Sequence, residues 1–285
     1  MTTTQEWWDL LARCTAVLAA CGDESAVCLT TAGRLHRYWL PGFDDDLHVA
    51  VAEPLRPGHA MLRSRRADVR AHRRQLVEGD VVVLHGVPVT SPARTWVDLA
   101  PLLSLPALVA AGDSALRAGT TAAELEAAVR RSVGGRGVRR ARTALPLLDA
   151  RSRSRPESHL RIAASAPDLP RWDVNVPVHR GDGGWLAEPD LSLAAAKIAL
   201  EYQGGDHARL DRMRRDITRS ADLRAEGWLE LQYGPAEVFA RPWQIGPELR
   251  AIVRRRRPEL LGHRPRLRVV DQDGEWSPKQ RPLGA

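Results

Sequence analysis

The chain has 285 residues, with 42 Lys and Arg against 35 Asp and Glu and a formal charge of +7. Hydrophobic residues make up 44% and charged residues 27%, which excludes wholesale disorder and allows a core that needs no covalent staples. Three cysteines, Cys14, Cys21 and Cys28, are too few for a disulfide framework and lack the C-x-x-C spacing of a thiolate zinc site. The longest apolar run, Leu99 to Gly112, is shorter than the roughly 20 residues of a bilayer helix and is interrupted by Pro101 and Pro106. No positive cluster precedes an apolar core at the N-terminus, so no secretory signal and no membrane association are expected, and the expected location is the cytoplasm. All but two of the basic residues, Lys197 and Lys279, are arginine, a bias of the kind that genome composition produces. The pI near 10.1 therefore permits an anionic partner without identifying one.

In chain order, apolar residues at 7, 10, 11, 14, 17 and 18 predict a helix over Trp7 to Ala20, with the cysteines as small core residues. Leu47 to Ala52 and Asp80 to Val89 are rich in β-branched residues and predict strands, with Gly86 and Pro88 as punctuation. From Ser91 the period becomes helical: Ser91-Pro92 predicts an N-cap and first helical position, Leu105 to Ala118 a second helix closed by Gly119, and Thr121 with Glu124 a capping box for a third. Gly137 to Ala150 predicts a fourth, and the polar run Arg151 to Arg155 a linker. Beyond it, Ser154 predicts a helix cap, followed by strands at Asp173 to His179, Trp185 to Leu191 and Lys197 to Gln203. A helix over Arg209 to Glu226, a strand over Trp228 to Tyr233 and a helix over Pro242 to Arg254 complete the order. The fold class is mixed α/β, of the α+β kind. The expected organisation is an α/β module over 1–95, a helical segment over 96–150, an α/β domain over 151–256 and a basic, Pro/Arg-rich, poorly packed tail over 257–285.

The residues with chemical potential lie in the second half. If the strands over 185–191 and 197–203 form a hairpin centred between 195 and 196, Asp190 and Glu201 stand directly opposite each other on one face, with Cβ atoms about 5 Å apart. Two carboxylates so placed can share one Mg²⁺ or Mn²⁺, which prefers a few carboxylates plus phosphate oxygens and can lower the pKa of a bound water for phosphodiester hydrolysis. Gln203 shares the face of Glu201. Glu157 opens the preceding helix and either completes the shell or simply favours the helix dipole. His207 follows two glycines and is either an acid, base or phosphate ligand or a solvated loop histidine. Arg209, Arg212, Asp216 and Arg219 form a helical stripe with Arg214 and Arg215 nearby, and Arg209, Arg212, Arg215 and Arg219 either track a DNA backbone or lie on a solvated face.

Residues 155–255 resemble the very-short-patch-repair-like endonuclease domains of the PD-(D/E)XK restriction-endonuclease fold. The resemblance rests on RPESHLR (155–161), AEPDLSL (187–193), AAKIALEYQGGDH (195–207) and RRDITRSADLRAEGW (214–228). Upstream, VPVTSPARTWVDLA (87–100) and LVAAGDSALRAG (108–119) resemble the middle module of AbiEi-type antitoxins. The first resemblance implies a mixed sheet flanked by helices, a Mg²⁺ site at Asp190 and Glu201, and auxiliary roles for Glu157 and His207. It also sets Gln203 where a lysine usually stands, and Lys197 is roughly 20 Å away along the strand. Two functions follow. One is a DNA endonuclease, dimeric if it cuts both strands. The other is a non-catalytic DNA-binding antitoxin or regulator with a degenerate nuclease domain, for which a cognate toxin is a further partner.

Overall fold

The structure, a computed structural model, describes residues 3–21, 24–42, 45–52, 67–204, 210–262 and 268–276, with the backbone alone for Ala52, residues 210–217 and Trp276. It is a mixed α/β protein in two compact units. One takes the described residues up to Ala150 together with those from Val269 on; the other is Arg151–Arg268. No helix among the described residues is long and apolar enough to cross a membrane.

The first unit opens with α1 (Thr4–Leu18), where Thr3 and Glu6 form a reciprocal capping box. The i, i+3, i+4 spacing of Trp7, Leu10, Leu11, Cys14 and Val17 turns one face of the helix into the core. Then come β1 (Ser25–Val27), α2 (Leu29–Leu35), β2 (Leu47–Ala52), β3 (Val69–Arg74), β4 (Val81–Leu84) and β5 (Val87–Thr90), paired in the order β3-β2-β1-β5-β4. His85 and Gly86, both at positive φ, make the two-residue turn of the β4–β5 hairpin. Cys14 and Cys28 are buried, and burial pushes the Cys14 thiol up to about 12 and the Cys28 thiol further up, so both act as small apolar core residues.

Helices α3 (Pro92–Leu99), α4 (Leu105–Arg117), α5 (Ala122–Arg131) and α6 (Val138–Ala144) follow. The Thr121–Glu124 capping box is present, and Gly119 takes the positive φ that ends α4. The fourth helix is shorter than its sequence pattern suggests: Pro146 lacks the N–H that would continue it, and the chain tightens into a 3-10 turn at Leu145–Leu147. The last described segment is no loose tail. Strands β12 (Val269–Asp271) and β13 (Gly274–Trp276) form a hairpin with Val269 and Val270 buried. The Val270 N–H donates to the Leu148 carbonyl, and the Ala150 N–H to the Val270 carbonyl.

The second unit contains α7 (Arg155–Ala164), β6 (Asp173–Val174), β7 (Val178–His179), β8 (Trp185–Ala187), β9 (Leu191–Leu193), β10 (Ile198–Tyr202), α8 (Leu210–Ala225), β11 (Leu229–Tyr233) and α9 (Ile245–Arg256). The sheet order is β11-β10-β9-β6, parallel between β10 and β11 and antiparallel elsewhere; β7 and β8 pair separately. Ile198 and Leu200 pack with Leu160 of α7 and Leu249 of α9, whereas Ala199 packs with Leu223 of α8. The alternation of β10 thus divides the helices between the two faces of the sheet. Two long strands expected from the sequence are broken. Asn175, at φ 49°, separates β6 from β7, and Glu188 to Asp190 carry the chain from the β7–β8 hairpin into the main sheet.

Candidate functional site

The β9–β10 pairing matches Leu193 with Ile198, Ser192 with Ala199 and Leu191 with Leu200. One step further, the same register sets Asp190 opposite Glu201. A 3-10 turn at Ala194–Ala196 and Lys197 at φ 50° make the connection. The Asp190 carboxylate accepts the Tyr202 N–H at 2.8 Å. Burial nevertheless pushes its pKa up to about 6; the Tyr202 N–H opposes this, Glu157 adds to it, and Arg219 and Arg153 draw it down more weakly.

Glu157 is buried in the first turn of α7, and its carboxylate is well supplied with donors. It accepts the Ser154 hydroxyl at 2.8 Å, the Arg153 N–H at 2.8 Å and the Asn175 side-chain amide at 2.9 Å. The left-handed backbone of Asn175 also lets its N–H reach the Asp190 carbonyl. Glu157 therefore ties the start of α7 to the bend that carries Asp190.

On the opposite side of β10, Arg219 of α8 bridges two strands. Its guanidinium lies 3.3 Å from Glu201 and 3.5 Å from Glu230 of β11, and all three side chains are largely enclosed. Ser220 also hydrogen-bonds Glu230. The arginine head is thus turned onto the acids of its own sheet. Gln203 is exposed past the end of β10, where its N–H continues the ladder to the Tyr233 carbonyl. Lys197 donates to the Glu226 carbonyl. His207 and Arg209 lie outside the described residues, and for Arg212 and Arg215 the backbone alone is described.

Asp190 and Glu201 supply two carboxylates from adjacent strands. Among the described residues, no three His, Cys, Asp or Glu side chains gather as a metal-binding group. A hard cation at Asp190 and Glu201 must then draw its other ligands from water or phosphate, and Arg219 must move away from Glu201 to make room. Glu230 and Asn175 are the two contributors that sequence reasoning missed. The two-residue step between Glu230 and Gln232 marks one face of β11, but nothing in the sequence aligns β11 with β10. The left-handed turn at Asn175 lies inside a strand-like alternation.

Residues 25–149 match the family of the AbiEi antitoxin C-terminal domain. Two proteins of Mycobacterium tuberculosis, one of strain CDC 1551 and one of strain H37Rv and both described as uncharacterized, are each 33% identical to the chain over 243 residues, covering 85% of this chain and 86% of theirs. No solved structure matches.

Proposed function

The chain belongs to the same family as these two Mycobacterium tuberculosis proteins, and from that premise we propose that it is an antitoxin-type protein that binds DNA without cutting it. The observation that carries this reading is the match of residues 25–149 to the AbiEi antitoxin domain. The site geometry supports it. Glu157 is spent on capping, Glu201 and Glu230 hold Arg219, and among the described residues no lysine stands beside Glu201 to stabilise a developing charge. In the antitoxin-like unit, Arg136, Arg139 and Arg142 are exposed around α6, and arginine forks suit phosphate oxygens. A cognate toxin is the protein partner this reading implies.

Gel-shift titration with a duplex library tests it. The R139E/R142E variant is expected to lose at least tenfold in affinity on every sequence, as phosphate contacts do. Wild-type protein that leaves all duplexes unshifted at low salt contradicts the reading.

One observation favours a second reading, metal-dependent phosphodiester hydrolysis on a restriction-endonuclease-like fold. Asp190 stands opposite Glu201 across β9 and β10, and burial pushes its carboxyl up to about 6, a shift that functional sites often carry. In this reading Asp190 and Glu201 hold Mg²⁺ or Mn²⁺, and Gln203 orients a water. Incubating the protein and an Asp190→Ala control with duplex, single-stranded and mismatched DNA and either ion tests it. Cleavage by wild type alone supports the reading, and no cleavage of any substrate rejects it.

A further inference from the structure

Next to the acid pair, but on the other face of β10, three flat groups meet on one exposed ring. Phe239 stands on a π-helical turn (Ala236–Ala240), and 38% of its surface is exposed although its neighbour Val238 is buried. The turn is pinned by the Gly234 N–H and Arg241 on the Glu237 carboxylate. The guanidinium of Arg155 lies 5.0 Å from the Phe239 ring centroid, the His159 imidazole 4.9 Å and the Tyr202 ring 6.4 Å. Arg155 Nε and His159 Nε2 are screened from solvent and lack a hydrogen-bond partner. Burial, with Arg155 adding to it, pushes the His159 pKa down to about 4, so near neutral pH the imidazole is uncharged and the Arg155 guanidinium supplies the positive charge.

Such a group is an unusual use of surface. An isolated exposed phenylalanine needs no explanation, but here a cation, an imidazole and a phenol are arranged around it, and two polar nitrogens forgo partners. A half-exposed aromatic ring with an arginine beside it is complementary to a ligand that is flat at one end and anionic at the other. A base in a closed duplex cannot present its face to such a ring; an unpaired base can. We propose that Phe239, Arg155, His159 and Tyr202 form a stacking site for one unpaired nucleotide of a DNA strand, its base against Phe239 and its phosphate against Arg155. This inference rests on the DNA-binding reading above and specifies the form of DNA preferred. Tyr202 links the two sites directly, because its N–H donates to Asp190 while its ring packs against Phe239.

The test uses the full chain in EDTA and fluorescence anisotropy. One probe is a perfect 20-mer duplex, and the other is the same duplex with a single bulged 2-aminopurine. Wild type is expected to bind the bulged duplex roughly tenfold more tightly, and to quench 2-aminopurine emission as the base stacks. Phe239→Trp keeps the preference and the quenching. Phe239→Leu, which keeps apolar bulk but removes the π face, loses both. Arg155→Gln lowers the salt slope on the bulged probe by about one. Equal wild-type affinity for the two probes, or a preference that survives Phe239→Leu, overturns this inference and leaves the DNA-binding reading standing. Binding to neither probe overturns both.

Discussion

Burial holds the Asp190 carboxyl at about 6, so between pH 4 and 6 the native protein keeps a proton that the unfolded chain has already released. Its contribution is favourable at low pH and is lost as the pH rises through 6. His159 works in the opposite direction: with its native pKa near 4, the unfolded chain takes up a proton first, and stability falls as the pH drops from about 6.5 to 4. The two slopes oppose each other within residues 151–268. Asp190→Asn, whose amide oxygen can still accept the Tyr202 N–H, is expected to stabilise the protein at pH 7 by about 1–3 kcal/mol. It also unmasks the histidine slope, so urea melts at pH 7 and pH 5 should diverge more than in wild type. Arg219 presents the reverse case. Arg219→Met leaves Glu201 and Glu230 facing each other without their shared cation, and urea melts should show a loss of about 1–2 kcal/mol. At this scale the sequence allowed Asp190 and Glu201 to be paired by counting across a hairpin. It could not show where the Arg219 head points, because a helical stripe of arginines is compatible with solvent, phosphate or neighbouring acids.

Periodicity carried α1, the helices from α3 on and β10 because buried apolar positions repeat there, and β11 because half-buried leucines alternate with polar residues; α2 had no such signal. It failed where a single residue changes the backbone path. Asn175 breaks an alternating run by adopting a left-handed conformation, and Pro146 stops α6 early although apolar residues continue beyond it. Trp185 to Leu191 is also divided between two sheets, because the turn at Glu188 to Asp190 redirects the chain. Close helix packing gives a sharper test at this scale. A Cβ added to Gly112 of α4 would lie 2.5 Å from a Leu148 methyl and 2.8 Å from the Trp96 indole nitrogen. Trp96 is fully buried, and that nitrogen donates to the Leu108 carbonyl. Gly112→Ala should therefore cost about 1–3 kcal/mol through overpacking, despite the better helix propensity of alanine. A thermal melt with an unchanged or raised Tm would contradict the packing described.

The whole chain divides at Ala150 and again at Arg268, with the C-terminal hairpin returning to the first unit. Composition near the C-terminus is dominated by Arg, Pro and Gly, which is why Val269 and Val270 were hidden there: two buried residues are too short a signal to register as a core element. Truncation after Arg268 removes both valines and the bonds to Leu148 and Ala150, and should destabilise the first unit by about 3 kcal/mol. Hydrogen exchange resolved over 138–150 reads that loss. The antitoxin-like half was legible in the stretches at 87–100 and 108–119, which fall within the matched residues 25–149, whereas the choice between binding and cutting depends on which partners the acids engage. The most direct measurement is DNA affinity in EDTA, followed by anisotropy from low to physiological salt for wild type and the Asp190→Ala/Glu201→Ala double variant. An antitoxin-type DNA binder gives metal-free binding that weakens steeply with salt and is equal in the two proteins; affinity that appears only when Mg²⁺ or Mn²⁺ is restored, and only in wild type, would contradict that function.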